Sequence, residues 1–229
     1  MCQYTTLLLL AGLIILVLIW FDCSNIKKSK SNHKEKFTNL LTETRPIQLL
    51  DNFITPSICD DLVELAKPRF KTSTVYSTNQ GSVDMSSRSS SCAYFKRGEN
   101  ELIKSIELKV ASLLSIDLKQ IEPLQIVRYE KGQQYKYHYD YFGEETDQKK
   151  NQRLHSILVY LNDLDELDGG STHFPLLKIR TYPYKSRAVL WNNLNPDGKE
   201  NKLTLHAGEP VLNDKIKYVL TIWTRISEY

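Results

Sequence analysis

The chain has 229 residues, of which 41% are hydrophobic and 25% charged, with a net charge of +3. That is enough apolar material for one ordinary domain with a normal core plus a short appendage. The charge is too mild, and too free of basic stripes interleaved with aromatics, for a nucleic-acid binder.

The first element is apolar. Leu7 to Phe21 reads LLLLAGLIILVLIWF, and no charge falls between Cys2 and Phe21. This is roughly the 20-residue length that a membrane-spanning helix needs. No basic residue precedes the run and its exit, WFDCS, lacks the small residues of a cleavage site, so residues 1–21 are expected to be an uncleaved transmembrane signal anchor. Residues 22–45 are polar and lysine-rich and read as a tether. Lys27, Lys28, Lys30, Lys34 and Lys36 all follow the anchor, which by the positive-inside rule favours a cytoplasmic domain.

The folded domain is expected over 46–229. A strand-like IQLLDNFI is followed by TPSICDDLVELA, where Thr55 suits a helix N-cap and Pro56 its first turn. Ile58, Leu62 and Leu65 then share one face. The Ser/Thr/Asn-rich stretch 71–100 reads as a long loop with short strand pieces, and a second helix is expected from Glu99 to Leu114 on Leu102, Ile106, Val110 and Leu113. After Pro123 come six short β-rich runs divided by glycines and prolines: LQIVRY, YKYHYDYF, SILVYLN, RAVLWNN, KLTLHAG and KYVLTIWTRI. Such spacing predicts a mainly β sandwich or barrel supported by the two helices.

The cysteines are Cys2, Cys23, Cys59 and Cys92, with no C-x-x-C pair, so a zinc ribbon or thioredoxin-type site is not expected. Cys59 and Cys92 read equally as a pair or as two free thiols.

Chemistry concentrates in YKYHYDYF. On a regular strand His138 and Asp140 project to one face, while Tyr135, Tyr137, Tyr139 and Tyr141 take the other. An imidazole and a carboxylate are two members of a two-histidine, one-carboxylate facial metal triad. Alone, H-x-D is a weak motif, and spacing does not choose the third ligand among His33, His155, His173 and His206. The tyrosines suit strand packing and also suit a wall against a proline ring.

The surrounding text is more specific. EPLQIVRYEKGQQYKYHYDYF, LVYLNDLDELDGGSTHFP, LHAGEPV and KYVLTIW occur in the order and approximate separations of the prolyl 4-hydroxylase family of iron- and 2-oxoglutarate-dependent dioxygenases, and NFITPSICDDL resembles the usual start of these domains. The chain resembles that family from about Pro46 to Arg225. The resemblance implies a double-stranded β-helix (jelly-roll) core, with the catalytic part at about 123–226. It implies that His138, Asp140 and His206 hold Fe(2+), and that Lys217 pairs with the distal carboxylate of 2-oxoglutarate, helped by Tyr129 and Thr172. Trp223 matches an aromatic lining the site, and Tyr135 and Arg153 match positions on the substrate side. O2 as cosubstrate, L-ascorbate as reductant, a peptidyl-proline partner of Pro-rich or collagen-like sequence, and an endoplasmic reticulum location with a lumenal domain are implied in the same way. That topology opposes the lysines after the anchor.

The chain departs from the family pattern in places. The stretch from His206 to Lys217 is one residue longer than usual, Asn213-Asp214 replaces the usual glycine, and Lys215 rivals Lys217. His155 replaces a small hydroxyl residue. Two rival functions share these features: hydroxylation of lysyl or another side chain, and a non-catalytic peptide-binding jelly roll.

Overall fold

The computed structural model describes residues 46–73, 87–143 and 150–229. The expected anchor, the tether, His33 and the middle of the expected loop at 74–86 lie outside the described residues. No helix among the described residues is long and apolar enough to cross a membrane.

The fold is mainly β. Eleven strands are described: β1 (Ile47–Leu50), β2 (Lys71–Thr72), β3 (Ser91–Phe95), β4 (Leu124–Tyr129), β5 (Tyr135–His138), β6 (Arg153–Tyr160), β7 (Thr172–Phe174), β8 (Ile179–Thr181), β9 (Ala188–Asn192), β10 (His206–Gly208) and β11 (Lys217–Arg225). They form two antiparallel sheets. The major sheet runs β1-β9-β6-β11-β4-β3-β2 and the minor one β5-β10-β7-β8. Two stacked antiparallel sheets agree with the expected jelly roll.

Two helices, α1 (Pro56–Ala66) and α2 (Glu101–Leu114), accompany the sheets. Thr55 caps α1 by accepting a hydrogen bond from the Ile58 amide at 3.2 Å, a contact of about 1 kcal/mol. Asn100 does the same for the Ile103 amide at 2.9 Å, so α2 starts at Glu101 rather than Glu99. Ser115, in the left-handed region, ends α2. The buried stripe of α2 is Ile103, Ile106, Glu107 and Val110, while Leu102 and Leu113 are only partly buried.

Alternation along the strands divides the core in two. Ala93, Phe95, Ile126, Ile157, Val159, Leu220 and Ile222 face the helices. Cys92, Val127, Tyr129, Tyr160, Val219 and Trp191 take the opposite parity and pack with Phe174 of β7, between the sheets. Cys59 and Cys92 fall in different clusters, and both are free thiols.

The strand pieces expected within 71–100 are β2 and β3, with β3 paired to β4 from Ser91↔Arg128 to Phe95↔Leu124. The sequence reading of YKYHYDYF needs correction. Strand β5 ends at His138, and Asp140 lies beyond it. Within β5 the pairing to β10 runs His206↔His138 and Gly208↔Tyr135, so three steps on β5 oppose two on β10. The extra residue is a β-bulge, which reverses the parity. Tyr135 therefore shares the inner side with His138 instead of opposing it.

Candidate metal centre and its pocket

His138 ends β5, His206 opens β10, and the two are direct cross-strand partners. Asp140 enters from the turn that follows β5. One donor atom from each of the three lies within 4.8 Å of the others. The His138 Nε2 is 3.8 Å from Asp140 Oδ1, and the His206 Nε2 is 3.9 Å from Asp140 Oδ2. These separations are too long for hydrogen bonds, so the lone pairs face one another unspent.

The backbone fixes both tautomers. His138 Nδ1 donates to the Lys136 carbonyl at 2.8 Å, and His206 Nδ1 donates to the Thr204 carbonyl at 2.8 Å. A carbonyl only accepts, so the proton sits on Nδ1 and Nε2 is left as a ligand. Ser156 of β6 donates to Asp140 Oδ2 at 2.6 Å and itself accepts from Asn193 Nδ2 at 2.9 Å. The single Ser156 proton is committed to the carboxylate, which is why Asn193 must present its amide nitrogen.

Charge states follow. Burial, then the neighbouring His206, hold His138 well below its ordinary value. Burial alone would raise Asp140, but His206, His138 and Arg153 outweigh it and keep the carboxyl ionised. Two imidazoles and a carboxylate make the donor set of a divalent-metal facial triad, and these residues fit ferrous iron.

The triad opens into a cleft of about 450 Å³. Its walls come from both sheets. Tyr135 stacks on His138 with centroids 3.6 Å apart and planes 16° from parallel. Trp191 meets the His206 ring edge-on at 4.8 Å. At another point of the wall stands Lys217, the first residue of β11, only 2% exposed. It makes no ion pair among the described residues, and burial brings its ammonium down to about 7. An isolated buried ammonium is costly unless an anion joins it. Tyr129 and Thr172 line the same cleft. The Lys217 Nζ is 5.2 Å from the Tyr129 ring centroid. The Tyr160 hydroxyl is 2.8 Å from both Thr172 Oγ1 and the Thr181 carbonyl oxygen, and this contact holds the Thr172 side chain at the cleft wall. One cation with two hydroxyls fits a carboxylate.

Lys215 has a different fate. It is half exposed and bound to Asp168 at 2.6 Å, away from the cleft. Trp223 lines the cleft, with the Arg153 guanidinium 3.7 Å over its ring. Arg153, expected on the substrate side, is fastened from behind by Glu122 through Nε at 2.8 Å and Nη2 at 2.9 Å, and its Nη1 reaches 4.0 Å from Asp140. His155 binds the Thr224 hydroxyl at 2.8 Å, and His173 the Tyr137 hydroxyl at 2.6 Å; neither joins the triad. Ser156, Asn193, Glu122 and Arg88, all missed from the sequence, complete the surroundings. No local motif marks them, because they meet only across strands.

A family model described as the 2OG-Fe(II) oxygenase superfamily matches residues 124–225. The chain is 31% identical to prolyl 4-hydroxylase 5 of Arabidopsis thaliana, over 91% of this chain and 80% of that one. It is 34% identical to the probable prolyl 4-hydroxylase 8 of the same plant, over 78% of this chain and 68% of that one. Among solved structures it resembles the viral collagen prolyl hydroxylase of Paramecium Bursaria Chlorella virus-1 in its 2OG complex, with TM-score 0.65 and 30% identity, over 80% of this chain and 97% of that one.

Proposed function

The chain belongs to the prolyl 4-hydroxylases within the 2OG-Fe(II) oxygenase superfamily, and from that premise we propose that its cleft hydroxylates prolyl residues of Pro-rich or collagen-like peptides. It is a 2-oxoglutarate-dependent dioxygenase. The observation that carries the reading is one cleft holding both an unspent two-histidine, one-carboxylate set and a buried ammonium with no ion pair among the described residues.

In this reading His138, Asp140 and His206 would hold the iron. When bound, the iron would supply the oxidising power for hydroxylation, one atom of O2 going to the prolyl carbon and the other to the succinate that 2-oxoglutarate yields with carbon dioxide. The protein's own part is placement. Lys217, Tyr129 and Thr172 receive the far carboxylate of 2-oxoglutarate. Trp223 and Tyr135 wall the cleft with rings that exclude water and support an extended peptide. Glu122 holds the Arg153 guanidinium over the Trp223 ring, which makes that wall rigid.

The proposal includes L-ascorbate as reductant and a membrane-tethered enzyme with its domain in the lumen of the endoplasmic reticulum. The charge-free run from Leu7 to Phe21 and the family resemblance support the anchor and the location; the lysines after it favour the opposite orientation. Protease digestion in sealed vesicles decides, since complete digestion of the domain rules out the lumen.

Purified protein with Fe(2+), ascorbate and 2-oxoglutarate is expected to form succinate with proline-containing peptides and to add 16 mass units, one oxygen atom, to proline. Succinate formed only with lysine-containing peptides overturns the prolyl assignment.

A further inference from the structure

Tyr94 stands at the margin of the major sheet, on the face that carries the cleft. Its strand neighbour Cys92 packs between the sheets, and residues two apart share a face. Strand β2 reaches only Ser91 and Cys92, so Tyr94 has no neighbour on that side within the sheet, and it is 55% exposed. The ring is nonetheless fixed. Its hydroxyl accepts from Gln125 Nε2 at 2.7 Å, and Gln125 Oε1 accepts from Arg88, a cleft-lining residue, at 3.5 Å. Gln125 is 1% exposed, so this tether is built into the sheet.

The cross-strand register aligns the ring with the cleft. Tyr94 pairs with Gln125, Gln125 with Thr221, and Thr221 with Leu158; the last two line the cleft. Tyr94 is thus two strand spacings from Thr221, about 10 Å. A polyproline II peptide advances about 3.1 Å per residue and repeats every three, so a residue three positions along lies about 9 Å away on the same side.

We propose that Tyr94 is a second proline-binding subsite, which receives the ring of a proline three residues from the one being hydroxylated. A fixed, exposed aromatic takes a proline ring with little ordering cost, whereas a mobile one does not. The inference rests on the prolyl reading above and adds to it a spacing rule that the triad does not contain.

The test uses the full chain with Fe(2+) and 2-oxoglutarate and four host peptides. One has a single proline. Two add a second proline three residues to either side, and the fourth adds it two residues away. The wild type is expected to show a KM about threefold to tenfold lower for one of the three-spaced peptides than for the single-proline peptide. That ratio should fall to about one in Tyr94→Ala and take an intermediate value in Tyr94→Phe, which keeps the ring but loses the hydroxyl that Gln125 holds. Equal KM values for all spacings in the wild type, or a ratio unchanged in Tyr94→Ala, overturn the subsite. Hydroxylation of none of the peptides instead overturns the prolyl reading itself.

Discussion

Ser156 gives its hydroxyl proton to Asp140 across 2.6 Å, and both residues are almost wholly buried. The bond fixes the carboxylate's rotation, and Asn193 fixes the serine in turn. Removing the hydroxyl leaves Asp140 free to turn away from the imidazoles. Ser156→Ala is expected to bind Fe(2+) or Co(2+) about 10- to 100-fold more weakly, with Ser156→Thr recovering most of the loss. Direct metal titration checks this separately from turnover. Unchanged affinity in the alanine variant would show that the packing of Asp140 suffices.

The same region shows what the sequence made legible and what it did not. Six apolar runs after Pro123 became or contained strands because each alternates or is bounded by turn residues. Thr55 and Pro56 announced α1 through local chemistry alone. The triad was legible only through the company of LHAGEPV, since the strand argument behind it was incomplete. Asp140 lies past the strand, and a bulge turns Tyr135 inward. A bulge depends on how two strands pair, and no single segment encodes it. The short strand pieces expected within 71–100 had no bounds for a related reason: those of β3, Ser91 to Phe95, are set by its pairing with β4.

Glu122 sits between two arginines. It binds Arg153 in a two-point contact and also pairs with Arg225; all three are largely buried. Glu122→Ala strands two guanidinium groups in a low-dielectric site, at a cost of about 3–5 kcal/mol. A matching fall in the denaturant midpoint, with little change in slope, is expected. A loss below about 1 kcal/mol would mean that the arginines reach water readily.

Gly169 adopts φ +72°, and a Cβ there would stand 2.4 Å from the Pro210 carbonyl oxygen and 2.7 Å from Leu212 Cγ. The turn from Glu166–Asp168 into the strand that begins at Thr172 therefore requires glycine. Gly169→Ala combines left-handed strain with a backbone clash, and a destabilisation of at least about 2 kcal/mol is expected. Gly198, at φ +79° with open space around it, is the control. Gly198→Ala should cost only the conformational part, about 1–2 kcal/mol, in the same thermal unfolding measurement.

Lys217 and Lys215 are two residues apart and separate cleanly by experiment. Burial brings Lys217 down from its ordinary 10.5 to about 7, whereas Asp168 raises Lys215. Between about pH 7 and 10.5 the unfolded chain binds a proton at Lys217 that the folded chain lacks, so stability rises with pH through that window. The full cost of the buried ammonium is present below pH 7. Lys217→Met should accordingly be more stable than the wild type at pH 6, with the difference vanishing near pH 10.5. Binding reverses the balance, because the carboxylate of 2-oxoglutarate favours the charged amine. At pH 8, anaerobic binding of 2-oxoglutarate to the iron-loaded protein should therefore take up close to one proton, and above pH 7 the affinity should fall by up to about tenfold per pH unit. Calorimetry in two buffers of different ionisation enthalpy measures both quantities. Lys215→Met should leave both unchanged, since its ammonium is already held by Asp168 at the surface. Proton uptake that survives in Lys217→Met would move the carboxylate-binding role to another residue.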